Sequence, residues 1–73
     1  MTFNELKRLL TIEYHSHNIL TSGYVYVPNV LNIRDPTTPE AKKILTNFFV
    51  YTVGWDSPNG NKIRNEILNL IYN

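Results

Sequence analysis

The 73-residue chain contains no cysteine, only three glycines and a single methionine, and no long apolar run. Each shortage excludes something. Without thiols there is neither a disulfide framework nor a thiolate zinc site. So few glycines leave no glycine-rich phosphate loop, and neither the dinucleotide nor the Walker pattern occurs. Nothing approaches the ~18 consecutive apolar residues of a membrane-spanning helix, so no membrane partner is expected. The opening MTFNELKRLL sets Glu5, Lys7 and Arg8 where a secretory leader is apolar, so the reading is cytoplasmic. Charge of one sign is scarce too: seven Lys and Arg against six Asp and Glu give a formal net charge of +1. That balance matches neither a strongly basic nucleic-acid binder nor an acidic DNA mimic.

What is present is enough apolar material for a core. Hydrophobic residues make up 42% of the chain, including three Phe, one Trp and five Tyr, which argues against compositional disorder. We read residues 1–73 as a single small domain. A domain of this length buries only about 60% of the surface its unfolded chain exposes, so a homo-oligomer is a natural alternative to a monomer. Ten asparagines point to AT-rich coding, as in a compact phage or plasmid genome.

Periodicity predicts three amphipathic helices, over about 3–14, 39–53 and 60–72. Thr2 and Glu5 have capping-box spacing, and Phe3, Leu6, Leu10 and Tyr14 share one stripe. Thr38 followed by Pro39 and Glu40 is a second start, with Ala41, Ile44, Leu45, Phe48 and Phe49 forming a wide stripe that continues to Thr52. Gly54 supplies the stop, and Trp55 is placed to fold back on the last turn. For the third helix, Asp56 or Ser57 can cap with Pro58 in first position, while Gly60 suggests a later start near Asn61; Ile63, Ile67, Leu70 and Ile71 form its apolar face. Between the first two helices, Gly23 is expected to be a left-handed loop residue. The run Tyr24, Val25, Tyr26, Val27 alternates as a strand ending at Pro28, with Val30 to Ile33 able to return. The expected class is therefore α+β, mostly α, with a short β-hairpin or extended arm over about 24–33.

Motifs that carry chemistry are few. Glu13, His15 and His17 could ligate a metal from an extended segment, but helical backbone at Glu13 would point neighbours two apart in opposing directions, so no metal and no cofactor are expected. Ser16, Ser22 and Ser57 lack a nucleophile elbow, and the carboxylates are scattered. No enzyme is expected. The stretch GWDSPNGNKIR gathers an indole, amides and two cations at the start of the last helix, where free N–H groups attract anions. Trp55 there is read either as an aromatic anchor for a partner or as a core residue that stops the helix. The segment Asp56 to Gly60, DSPNG before a basic amphipathic helix, is similar to the entry into the last helix of nuclease-bacteriocin immunity proteins. Those proteins are acidic and present a tyrosine pair between their central helices, whereas this chain is near neutral and carries Tyr24 and Tyr26 elsewhere, so no binding residue is transferred.

The expected function is a small non-enzymatic protein-binding module, an inhibitor or modulator that docks on and occludes a larger protein. The candidate partner-binding residues are Tyr24, Tyr26, Trp55, Asp56, Asn59, Lys62 and Arg64, with Tyr26, Trp55 and Arg64 as anchors. The alternative is a nucleic-acid-binding regulator that uses Lys62, Arg64 and Asn65 on the leading end of a recognition helix.

Overall fold

The capping signals at three helix starts are realised in the computed structural model, which describes residues 1–73. Thr2 Oγ1 accepts from Glu5 N at 3.1 Å and opens α1 (Phe3–His15). The Glu5 carboxylate accepts from the Thr2 hydroxyl at 3.2 Å, so the reciprocal bond runs between side chains. Thr38 Oγ1 accepts from Ala41 N at 3.1 Å and opens α4 (Pro39–Tyr51). Ser57 Oγ accepts from Gly60 N at 2.9 Å and opens α5 (Pro58–Tyr72). The last helix thus begins at Pro58, two residues before the expected 60, because Gly60 is needed inside its first turn. A Cβ at Gly60 would come within 2.9 Å of the Trp55 ring, so the indole lies directly on that turn. Gly54, at φ +90, makes the expected stop, two residues earlier than expected for the helix itself.

The middle of the chain corrects the expected class. It holds α2 (Thr21–Tyr24) and α3 (Val27–Leu31), and the structure contains no strand, so the fold is all-helical rather than α+β and the hairpin over 24–33 does not form. Burial explains why. Ile19, Gly23, Val27 and Val30, spaced by four, four and three, all face the core, which is a helical period overlaid on the alternating YVYV. Full burial of a valine is worth about 1.5–3 kcal/mol, whereas the whole strand-propensity scale spans only about 1 kcal/mol. An isolated two-stranded hairpin is also marginal on its own. Pro28 falls in the first turn of α3, where its missing N–H has no intrahelical partner to lose.

Gly23 is corrected as well: it is helical, with no positive φ, and its missing side chain permits close approach. A Cβ there would collide with Thr52 Cγ2 and sit 3.2 Å from Tyr51 O. The left-handed residue of the preceding loop is His17, at φ 56.

One cluster of twelve buried apolar residues, among them Leu6, Leu10, Leu45, Phe48, Ile63 and Ile67, joins the three long helices. Met1 N lies 4.0 Å from Glu66 while Trp55 Nε1 donates to Asn18 O at 2.7 Å, so α1 and α5 run in opposite directions. Lys7 Nζ donates to Ile33 O at 3.0 Å and ties α1 to the end of α3, which packs against both α1 and α4.

Candidate functional site

The two residues expected to anchor a partner beside α5 both make contacts within the fold. Trp55 is 5% exposed, its indole N–H holds the Asn18 carbonyl, and its ring meets Phe48 edge-on at 6.3 Å. Arg64 Nη1 donates to Phe49 O at 2.7 Å and to Thr52 Oγ1 at 2.6 Å. Its guanidinium lies over the Phe49 ring at 3.9 Å. A cation on the last carbonyls of a helix satisfies orphan acceptors and favours the negative end of the dipole, so Arg64 closes α4 from α5. Burial among these groups holds its pKa below the usual guanidinium value. Around it, Asp56 and Lys62 are exposed and Asn59 is half-buried.

The tyrosine pair diverges. On helical backbone, Tyr24 turns toward α1, stacked on Tyr14 at 4.7 Å and on His17 at 5.7 Å, with its hydroxyl 3.2 Å from Tyr14 O and 3.0 Å from His17 Nδ1. Tyr26 turns toward α4 and stacks on Tyr51 at 4.7 Å, the rings inclined by 19°. The Tyr51 hydroxyl beside it raises the Tyr26 phenol above its ordinary value, and burial adds to that. Glu13, His15 and His17 do not converge: Glu13 and His15 belong to α1 and His17 lies beyond its end, and no group of metal-binding side chains forms.

The Tyr26–Tyr51 stack is the centre of a face that sequence periodicity does not single out. Ser22 Oγ donates to Tyr51 O at 2.6 Å, which fastens α2 to the end of α4. Tyr51 is 45% exposed and the residue before it, Val50, 57%, whereas Val25 borders a separate hollow with His17 and Tyr24. No Asp, Glu, Lys or Arg occurs from Ile19 to Ile33 or from Ile44 to Gly54, and these are the two stretches that build the face. That paired absence of charge is the sequence signal that marks it. No family model, no curated protein and no solved structure matches this chain.

Proposed function

We propose that the protein is a non-enzymatic protein-binding module, an inhibitor or modulator that occludes a larger partner through the uncharged face around the Tyr26–Tyr51 stack. One observation carries this reading: two stacked tyrosines, one of them 45% exposed, join two stretches of chain that hold no formal charge, while the charged residues lie in α1, the 34–35 turn, the start of α4 and the region from Asp56 onward. Interface centres are depleted of charge and enriched in Tyr, and a rigid, already stacked pair loses little entropy on docking. Tyr26 keeps its place as an anchor, and Tyr51 replaces Trp55 and Arg64 as its companion.

Support for a catalytic role is thin. The hydroxyls of Ser16, Ser22 and Ser57 each serve the backbone, bonded to Ile12 O, Tyr51 O and Gly60 N. No helix is long and apolar enough to cross a membrane. We place the protein inside the cell, since secreted domains of this size commonly rely on disulfides. The nucleic-acid alternative keeps Lys62 and Asn65 but has Arg64 engaged with α4.

Capture from the lysate of the native host, with and without nuclease and at two salt concentrations, tests the reading. One stoichiometric protein, retained after nuclease and little affected by salt, is expected. Material lost on nuclease treatment, with affinity falling steeply as salt rises, would establish the regulator instead.

A further inference from the structure

The face does not end at the tyrosines. On α4, Glu40, Ile44, Asn47 and Tyr51 recur at i, i+4, i+7 and i+11, one continuous stripe. On α3 and its cap, Tyr26 and Asn29 stand one turn apart. Tyr26 stacks on Tyr51 at one end, while Asn29, Asn32 and Ile33 border the same groove as Ala41 and Ile44 at the other. The short helix therefore runs antiparallel to α4, and the two stripes face each other across a seam. From Glu40 to Tyr51 that seam is about 16 Å long at the helical rise per residue.

Its chemistry changes along its length. Beyond the tyrosines come three exposed amides, Asn29, Asn32 and Asn47, each with donors and an acceptor that match a peptide backbone. The seam then opens into a groove of about 220 Å³ floored by Ile33, Ala41 and Ile44. Small-molecule sites usually run to about 300–1,000 Å³, so this groove is scaled to one aliphatic side chain. Its rim sets two carboxylates, Asp35 and Glu40, against one cation, Arg34. Both bonds from Thr37 to Asp35 use Oδ1, so Oδ2 keeps its lone pairs. Those same bonds hold the Asp35 carboxyl below the usual carboxylate range, which keeps it ionised. Among the residues that line the groove the carboxylates outnumber the cation by one, and Lys7, outside that lining, is engaged by the Ile33 carbonyl.

We propose that the α3–α4 seam binds an extended peptide segment of the partner. It lays an apolar residue on the Tyr26–Tyr51 stack, seats an aliphatic side chain over Ile44 and directs a Lys or Arg at Asp35 and Glu40. At the rise of an extended strand, the seam accommodates about five residues. This inference rests on the protein-binding reading and narrows the partner's contact to a linear, singly basic segment.

Selection of a displayed random heptapeptide library on the immobilised protein provides the test, followed by fluorescence polarisation of the enriched peptides. Enriched sequences are expected to place a Lys or Arg about four positions from an aromatic or aliphatic residue. Glu40→Gln removes a charge from an exposed site and should weaken such a peptide about fivefold, the upper range for an exposed ion pair. Replacing the peptide's own cation by Glu should abolish binding, and Lys62→Glu on the protein should change nothing. A peptide weakened by Tyr51→Ala but not by Glu40→Gln overturns the seam and leaves the docking face standing. A peptide indifferent to both variants contradicts the face as well. Failure to enrich any sequence overturns the linear-segment proposal, while capture of an intact protein tests the docking reading separately.

Discussion

Arg64 lies flat on Phe49: its guanidinium carbon is 3.9 Å from the ring centroid, and its Nη1 donates to the carbonyl of the same residue at 2.7 Å. One side chain of α5 thereby holds both the ring and the backbone of the last turn of α4. Arg64→Ala should lower stability by about 1–2 kcal/mol, the range for a charged hydrogen bond discounted for partial exposure. Arg64→Lys should restore only part, since an ammonium cannot both stack and fork. Chemical denaturation of the three proteins checks this, and an unchanged midpoint in the alanine variant would contradict it.

Gly23 makes a sharper case, because helix propensity and packing predict opposite signs. An alanine in α2 would gain about 1 kcal/mol from propensity alone, yet its Cβ meets the fully buried Thr52. Gly23→Ala should therefore destabilise by about 1–3 kcal/mol, as overpacking does. The pair Gly23→Ala, Thr52→Ser removes the offending methyl and keeps the hydroxyl bonds to Phe48 O and Arg64, so it should recover most of the loss. A double variant as unstable as the single one would show that the methyl is not the obstacle.

Two groups give opposite pH signatures. Asp35 has a lowered folded pKa, caused first by the Thr37 hydroxyl, so its contribution is complete above the unfolded value near pH ~4 and disappears as pH falls through the folded value. Asp35→Asn should flatten that acid limb. Tyr26 has a raised folded pKa, so its contribution is complete below about pH 10 and is lost as pH rises through the folded value. Tyr51→Phe should return the Tyr26 titration, followed by tyrosinate absorbance, toward its ordinary position. A titration that does not move would mean that the hydroxyl of Tyr51 has no part in it.

The long helices were legible in the sequence because their signals are local: Thr2, Thr38 and Ser57 cap from three residues away, and the stripes of Leu6 and Leu10 or Ile63 and Ile67 follow the helical period. The Tyr24 to Ile33 segment reads as a strand because its strand formers alternate locally, while its burial is decided elsewhere, by α1 and α4. The spacing Ile19, Gly23, Val27, Val30 held the helical answer, but a glycine in that series does not read as a core position until its neighbour Thr52 is known. Trp55 and Arg64 look like anchors in a string of letters. Only the fold brings Asn18, Phe49 and Thr52 to them across the chain. Of the proposed docking face the sequence singles out Tyr26 alone, because Tyr51 joins it only through the contact between α3 and α4.

Tyr51→Glu tests the central proposal most directly. Tyr51 lies outside the buried core at 45% exposure, so chemical denaturation should find the variant folded while it places a charge on the tyrosine stack. Captured from host lysate in parallel with wild type and Lys62→Glu, the Tyr51→Glu protein should lose the nuclease-resistant partner that the other two retain. Retention of that partner by Tyr51→Glu, with loss from Lys62→Glu, would move the interface to the start of α5 and contradict the Tyr26–Tyr51 face.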